Sequence, residues 1–350
     1  MTTRDQTKVV RIGDVTIGGG NPVAIQSMTN TDTRNVESTV AQIHRLAEAG
    51  CDIVRVAVPD MEAAEAISSI KKAIRLPLVA DIHFDYRLAL ESIRRGADKI
   101  RINPGNIDTA ELGSVTEVAR VSGIPIRVGV NGGSLEKDIL ARDGGVTAKG
   151  LAESALRNVG LMEKLGFYDI VVSVKVSRVK DMLEAHRLVA EQIQYPLHVG
   201  LTEAGTPVGG AIRSAAGLGA LLAMGVGDTV RVSLSGDPVE EVRVAKLILS
   251  AMGIRLFGVT VLACPTCGRT GIDVVGLAAS IEERLAALDV PLTVAVMGCV
   301  VNGPGEAREA DIGIAGGKGS GVLFKKGKVI ETINENEMFG RIISEIESLA

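Results

Sequence analysis

Leu78-Val-Ala-Asp-Ile-His83, with Asp52-Ile-Val-Arg-Val-Ala-Val58 before it and Lys99-Ile-Arg-Ile-Asn-Pro104 after it, decides the fold prediction. Each run is short and rich in β-branched residues, and amphipathic helical patterns separate the runs. Five more runs continue the alternation: Val23–Met28, Ile126–Asn131, Asp169–Ser177, Leu197–Ala204 and Thr229–Gly236. Eight strand–helix units within about 250 residues are typical of a (β/α)8 TIM barrel. A doubly wound open sheet is the alternative, and the count of eight favours the barrel.

The pattern changes near residue 254. Beyond it, one strand pattern ends at Cys264 and another ends at Cys299, with a helical pattern between them and three further short strand patterns after them. We therefore predict an α/β protein with two domains: a TIM barrel over residues 1–254 and a small α+β domain over residues 255–350. A Gly-rich, charged stretch, Asn131–Gly150, is predicted to be a mobile loop over the barrel mouth.

Composition excludes several classes of protein. The 350 residues carry a net charge of −4, with three Tyr, five Phe and no Trp, which argues against nucleic-acid binding. No run of about 18 apolar residues predicts a membrane span. The N-terminal 20 residues have no apolar core like that of a signal peptide. We expect a cytoplasmic protein, in which cysteines stay reduced.

The strands of the predicted barrel alternate between an apolar and a polar face. In an ordinary TIM barrel the inward face is filled by Val, Ile and Leu, so a polar inward face is unusual. On strands three to five it carries Asp81, His83, Arg101, Asn103, Arg127 and Asn131. The remaining inward positions are Gln26, Arg55, Ser173, Lys175, Thr202, Arg231 and Ser233, with Glu203 just beyond Thr202.

The charges on this inward face are unbalanced. Five cations, Arg55, Arg101, Arg127, Lys175 and Arg231, face one carboxylate, Asp81. Buried cations without partners are costly, so we infer that a ligand supplies the missing negative charge. Arg and Lys bind phosphate, and a small diphosphate is the simplest such ligand. The alternative is a set of structural Arg–carboxylate pairs between strands and helices.

Three of the four cysteines lie in the last quarter of the chain. Cys264-Pro-Thr-Cys267 and the distant Cys299 provide three thiolates without an evident fourth Cys or His, which favours an iron–sulfur cluster over zinc. Glu306, across the Asn302-Gly-Pro-Gly305 turn, is a candidate fourth ligand that substrate could displace. A structural zinc site or a redox pair remains the alternative.

The motifs Met297-Gly-Cys-Val-Val-Asn-Gly-Pro-Gly-Glu306 and Cys264-Pro-Thr-Cys-Gly-Arg269 resemble those of the hydroxymethylbutenyl diphosphate synthase family. The similarity extends through Arg101-Ile-Asn-Pro-Gly105 and Ala80-Asp-Ile-His83 to Gln26-Ser-Met28. It is similar to the short bacterial form. The resemblance implies a TIM barrel followed by a cluster domain like those of sulfite and nitrite reductases.

The resemblance also implies the chemistry. 2-C-methyl-D-erythritol 2,4-cyclodiphosphate would be reduced to 4-hydroxy-3-methylbut-2-enyl diphosphate by two single electrons from flavodoxin or ferredoxin. A [4Fe–4S] cluster would be held by Cys264, Cys267, Cys299 and Glu306. Glu203 would donate a proton, assisted by Thr202 and Asn302. The diphosphate would be held by Arg55, Arg101, Asn103, Arg127, Asn131, Lys175, Arg231 and Ser233.

The family further implies a homodimer in which the cluster domain of one subunit caps the barrel of the other. Asp81 and His83 belong to the predicted substrate site by their inward positions; His83 could serve as an acid or base, or be a hydrogen-bonded interior residue. The rival class is a non-redox barrel, such as a pterin-binding transferase, with a structural zinc site. A cluster-bearing regulatory protein is a third possibility, against which the polar barrel interior argues.

Overall fold

The computed structural model describes residues 1–285, 288, 290–299 and 307–349. It divides into two compact units, Met1–Arg255 and Leu256–Ala350. In the described part of the chain, no helix is long and apolar enough to cross a membrane.

The first unit contains a parallel eight-stranded barrel. Its strands are β3 (Ala24–Met28), β4 (Ile53–Ala57), β5 (Leu78–Asp81), β6 (Lys99–Ile102), β7 (Ile126–Asn131), β8 (Ile170–Lys175), β9 (His198–Val199) and β10 (Thr229–Val230). Their order in the sheet is β8-β7-β6-β5-β4-β3-β10-β9. The Val172 N–H donates to the Pro196 carbonyl at 2.9 Å and the Thr202 N–H to the Val176 carbonyl at 3.0 Å, which closes the barrel between β8 and β9.

Helices follow the barrel strands in the alternation that the sequence predicts. They are α1 (Val36–Glu48), α2 (Met61–Ala73), α3 (Tyr86–Arg94), α4 (Thr109–Ser122), α5 (Lys137–Asp143), α6 (Ala148–Lys164), α7 (Val179–Ala190), α8 (Pro207–Ala223) and α9 (Pro238–Ala251). Asp60 begins α2 by accepting a hydrogen bond from the Ala63 N–H at 2.9 Å, as expected for an N-cap. The TIM-barrel prediction is confirmed.

A feature that the sequence analysis missed closes the N-terminal end of the barrel. The strands β1 (Val10–Ile12) and β2 (Val15–Ile17) form an antiparallel hairpin. Val10, Ile12 and Ile17 pack against Ala24, Ile53, Val79 and Val171, near the starts of their strands. The active side of the barrel is therefore the opposite end, where the strands end.

Two segments differ from the sequence prediction. Asn131–Gly150 is not wholly a loop, because α5 lies within it and the Thr147 hydroxyl caps α6 by accepting from the Gly150 N–H at 2.9 Å.

Strands seven and eight are much shorter than predicted, since β9 and β10 have two residues each. Thr202 and Ser233 consequently lie in the segments that follow these strands.

The second unit is a mixed five-stranded sheet with helices, as predicted. Its strands are β11 (Val259–Ala263), β12 (Leu292–Met297), β13 (Ile312–Gly316), β14 (Ser320–Lys325) and β15 (Lys328–Asn334), in sequential order across the sheet. The helices α10 (Val274–Leu285) and α11 (Met338–Glu347) pack against it. Because β11 and β12 are parallel neighbours, Cys264 and Cys299 follow strands that end at the same edge of the sheet.

Candidate active site

Three arginines form a buried layer in the barrel. Arg55, Arg101 and Arg127 lie on β4, β6 and β7, and each is at most 1% exposed. Arg101 is in register with Arg127 on one side and with Asp81 on the other, so these side chains project inward at one level. Gly129 makes room for them, because a β-carbon at this position would lie 2.5 Å from Arg101 Nε. The sequence prediction of inward-facing arginines is confirmed at these three positions.

Asp81 is the carboxylate within this layer. Its Oδ1 lies 3.2 Å from Arg101 Nη1, and its Oδ2 lies 3.6 Å from Arg55 Nε. Burial by itself raises the pKa of Asp81. The charge of Arg55, the hydrogen bond with His83 and the charge of Arg101 together outweigh burial and hold the pKa well below its usual value. Asp81 is therefore ionised and orients two of the three arginines.

Arg127 has no such partner. Its Nε, Nη1 and Nη2 are buried, and none has a hydrogen-bond partner in the part of the chain that the structure describes. Arg55 Nη1 and Arg101 Nε are also without partners within the same described ranges. Buried donors are nearly always satisfied in native proteins, so these guanidinium groups point to an anionic ligand.

A second set of basic side chains surrounds the arginine layer. Lys99 on β6 is fully buried, and its Nζ lies 3.3 Å from Gln26 Oε1. Burial, then the charges of Arg127 and Arg55, lower the pKa of Lys99 well below its usual value. Burial and the charges of Arg55 and Arg127 lower the pKa of Lys175 to about 5. His198 is buried and bonded through Nδ1 to Thr229 Oγ1 at 2.7 Å.

Arg231 departs from the sequence analysis because it has a carboxylate partner. Its Nε lies 3.4 Å from Glu241 Oε2, on α9. Glu241 also accepts from Ser27 Oγ at 3.2 Å and from the Leu234 N–H at 3.1 Å. We call the polar site at the carboxyl ends of the barrel strands, formed by Arg55, Asp81, Arg101, Arg127, Lys175 and Arg231, the cup. It contains two carboxylates, Asp81 and Glu241, rather than the one predicted from the strands. The Arg231 side chain remains 18% exposed, so it can also contact a ligand.

A small cavity opens beside these groups. Its lining residues are Lys175, His198, Gly200, Leu201, Thr202, Arg231 and Ser233. Four predicted site residues, Lys175, Thr202, Arg231 and Ser233, thus share one cavity. The exposed residue Glu203 follows Thr202 directly and has a left-handed backbone with φ of 54°. Non-glycine residues in this conformation are strained and occur often at functional sites.

The two asparagines predicted for the barrel, Asn103 and Asn131, are linked to each other. Ser134 Oγ accepts a hydrogen bond from Asn103 Nδ2 at 2.8 Å and lies 2.9 Å from Asn131 Oδ1, to which it donates. Sequence reasoning missed Ser134, which gives no signal beyond its place in a Gly-rich segment. His83 lies at the rim of the cup, with its Nε2 3.5 Å from Arg101 Nη1 and its side chain 57% exposed.

The cysteine segment belongs to the second unit. The Cys264 N–H donates to the Val296 carbonyl, and Cys264 Sγ accepts from the Gly298 N–H, both at 3.1 Å. Cys267 is exposed, and hydrogen bonds from the backbone and side chain of Arg269 lower its pKa. Cys264 accepts an N–H hydrogen bond at its sulfur, and the pKa of Cys267 is lowered, so the chemistry of these two cysteines fits thiolate ligation of an iron–sulfur group.

Two predicted residues, Asn302 and Glu306, lie outside the described residues. Within the described ranges, no group of three or more His, Cys, Asp or Glu side chains is arranged to hold a metal ion. The described geometry brings Cys264 next to Gly298, the residue before Cys299, and Cys267 follows Cys264 by three residues.

Comparison with known proteins identifies the family. Residues 7–246 match the model of the GcpE TIM-barrel domain, and residues 260–348 match that of the GcpE protein C-terminal domain. The chain belongs to the GcpE family. A GcpE relative from Caldanaerobacter subterraneus, "4-hydroxy-3-methylbut-2-en-1-yl diphosphate synthase (flavodoxin)", is 59% identical over 99% of this chain and 98% of its own length. The Bacillus subtilis protein of the same name is 55% identical, over 100% of this chain and 93% of its own length. GcpE enzymes use an iron–sulfur cluster.

Solved structures show a more distant likeness to this GcpE chain. The dihydropteroate synthase of Stenotrophomonas maltophilia superposes with a TM-score of 0.52 and 15% sequence identity, covering 71% of this chain and all of its own. At this level of identity the likeness concerns the barrel fold alone.

Proposed function

We propose that the arginine-lined cup binds 2-C-methyl-D-erythritol 2,4-cyclodiphosphate as the substrate for reductive ring opening. The chain is an oxidoreductase of isoprenoid biosynthesis that forms 4-hydroxy-3-methylbut-2-enyl diphosphate, as its GcpE membership establishes. The rival interpretation, a non-redox transferase with structural zinc, is not favoured. The observation that carries the substrate assignment is Arg127, a fully buried guanidinium whose three nitrogens lack partners among the described residues.

The cup positions the diphosphate by charge. Arg127 donates to the phosphate oxygens, and Arg55 and Arg101 add the donors that Asp81 does not occupy. Lys175, Arg231 and Ser233 contact the ligand from the cavity wall. Asn103 and Asn131 contribute amide groups at the strand ends, held in place by Ser134. Because these groups are already in place before the substrate arrives, little reorganisation opposes binding.

Residues 255–350 hold the redox group in this proposal, and residues 1–254 hold the substrate. Cys264, Cys267, Cys299 and Glu306 would bind a [4Fe–4S] cluster. When bound, the cluster supplies the two electrons, one at a time, that the reduction consumes. The N–H groups that hydrogen-bond to the sulfurs, such as that of Gly298, stabilise the thiolate charge.

Glu203 supplies the proton. We assign its carboxylic acid to the substrate hydroxyl oxygen that leaves as water, because Glu203 adjoins Thr202 at the cavity wall. Its left-handed backbone lies in the segment that follows β9, and strained residues of this kind occur often at functional sites. Thr202 positions the leaving group by hydrogen bonding, and Asn302 assists it. Asp81 orients the arginines, and His83 contacts the substrate from the rim of the cup.

The partners follow from the family. The printed names of the relatives specify flavodoxin, and we propose flavodoxin or ferredoxin as the electron donor of this chain in the cytoplasm. We further propose a homodimer in which the second unit of one subunit caps the barrel of the other. Capping would exclude water from the cup and strengthen its electrostatic interactions.

Iron and sulfide content, with a visible spectrum, tests the proposal on protein purified without oxygen. We expect about four irons per chain, consistent with three thiolates and one further ligand, and a broad visible band that bleaches with dithionite. A colourless protein with one zinc per chain would contradict the redox assignment. Calorimetry with the cyclic diphosphate tests the cup separately, since binding does not require electrons.

A further inference from the structure

The basic groups of the cup fall into two chemical kinds. Arg55, Arg101, Arg127 and Arg231 carry guanidinium groups, which keep their charge in neutral solution. Lys99 and Lys175 carry amines, which lose their proton readily when they are buried near other cations. Among the arginines and lysines, the lysines are therefore the groups whose charge can change when a ligand enters.

The lysines lack carboxylate partners. In the part of the chain that the structure describes, neither Lys99 nor Lys175 forms an ion pair, whereas Arg55, Arg101 and Arg231 each lie within 4 Å of a carboxylate. The Lys99 Nζ lies 3.3 Å from the oxygen of the neutral Gln26 amide. Lys175 lines the cavity in which a ligand would sit.

Both lysines face positive charge on several strands. The charged and titratable groups around them are Arg55 on β4, Asp81 on β5, Arg101 on β6, Arg127 on β7 and His198 on β9. Arg231 lines the same cavity as Lys175. The two carboxylates are already engaged, because Asp81 is shared by Arg55 and Arg101, and Glu241 pairs with Arg231. In the ligand-free protein, protonated lysines would add to this repulsion, and the lowered pKa of Lys175, about 5, agrees with a neutral amine.

We propose that the cup takes up protons from solvent as a dianionic diphosphate binds, and that Lys175 and Lys99 are the groups that accept them. A dianion among these side chains reverses the local balance of charge and stabilises both ammonium forms. The inference rests on the proposed function, because it takes the cyclic diphosphate as the ligand. It adds Lys99, which lies behind the arginine layer, to the residues that position the substrate.

Proton uptake on binding determines the direction in which the Kd changes with pH. A group that is neutral when free and protonated when bound makes binding tighter at low pH. Above pH 5, the value to which the pKa of Lys175 is lowered, we expect the Kd to rise with pH. The rise should be about tenfold per pH unit for each proton taken up.

The test is isothermal titration calorimetry of the oxidised holoenzyme with the cyclic diphosphate, without reductant. Each phosphate of this ligand has one strongly acidic hydroxyl, so the ligand itself releases or binds no proton near neutral pH. Titrations at one pH, in phosphate-free buffers of different ionisation enthalpy, give the number of protons taken up. We expect the wild type to take up about one proton or more, since both amines lie among cations without a carboxylate partner in the described ranges until the dianion enters.

Three variants assign the protons. Lys175→Arg keeps a permanent charge in the cavity, so we expect binding to persist with smaller uptake and a flatter dependence of Kd on pH. Lys99→Met should also reduce the uptake, whereas the exposed control Lys72→Met should not. If the ligand bound but the heat of binding did not depend on the buffer, the proposed proton uptake would be overturned and the proposed function would stand. Full uptake in Lys175→Arg or Lys99→Met would overturn the assignment to that lysine, and absence of binding would overturn the proposed function as well.

Discussion

Replacing Arg127 by Met separates the binding role of this residue from any structural role. Arg127 is fully buried, and its three nitrogens have no partner among the described residues. Met fills a similar length without charge, so the folded protein no longer buries an unpaired cation. From replacements of buried charges by apolar residues we expect the free energy of unfolding to rise by about 1–4 kcal/mol.

The same substitution should weaken ligand binding. Two charge-assisted hydrogen bonds to a phosphate contribute about 1.5–3 kcal/mol each, or about 3–6 kcal/mol together. Since 1.4 kcal/mol corresponds to a factor of ten, the Kd for the cyclic diphosphate should rise by about 10²–10⁴. Calorimetry gives the Kd, and denaturant unfolding of the ligand-free protein gives the stability.

Two controls sharpen this comparison. Arg101→Met should also weaken binding, but it should destabilise the protein by about 1–3 kcal/mol because Asp81 Oδ1 loses its partner at 3.2 Å. Arg120→Met removes an exposed arginine that pairs with Glu117 at 2.6 Å, and it should change neither quantity by more than about 1 kcal/mol. If Arg127→Met destabilised the protein by several kcal/mol and left the Kd unchanged, the reasoning would be refuted.

Three further outcomes are expected. Cys299→Ser should lose iron and sulfide but still bind the cyclic diphosphate. The control Cys51→Ala, at the buried cysteine of the barrel, should keep the iron and sulfide as well as the binding. Normal iron content in Cys299→Ser would contradict the ligand assignment. Glu203→Gln should lower kcat by about 10²–10⁴ without changing the Kd, and an unchanged kcat removes Glu203 as proton donor. Burial raises the pKa of Asp228 to about 6, so its contribution to stability is present below pH 3.8 and is lost as the pH rises through 6. Between pH 3.8 and pH 6 the free energy of unfolding of the wild type should fall by about 3 kcal/mol relative to that of Asp228→Asn, as measured by denaturant unfolding. If the free energies of unfolding of the two proteins changed with pH in the same way, the raised pKa would be contradicted.

Strand periodicity predicted the barrel and most of its inward residues. Arg55, Asp81, Arg101 and Arg127 were found because side chains on one face of a strand repeat every two residues. The same rule also places Lys99 on the face of Arg101, so this residue could have been predicted. The Gly13-Asp14 pair between two apolar runs is likewise a hairpin signal for β1 and β2, since Gly13 has a φ of 58°.

Other features had no local signal. Glu241 reaches Arg231 from α9, ten residues further along the chain, and strand alternation says nothing about such a contact. Ser134 joins Asn103 to Asn131 only because the segment after β7 folds back beside β6. The short pairing of β9 and β10 also depends on their neighbours, since both sequences have the composition of longer strands.

Phosphorus NMR of a single anaerobic reaction tests the central claim most directly. The reaction contains the holoenzyme, the cyclic diphosphate and a reduced flavodoxin, with Arg127→Met and Glu203→Gln enzymes as parallel samples. We predict that the wild type replaces the resonances of the cyclic diphosphate by those of a linear diphosphate monoester, at two electrons per product, and that both variants are slow. An intact cyclic diphosphate beside a reduced, cluster-loaded wild-type enzyme would contradict the account.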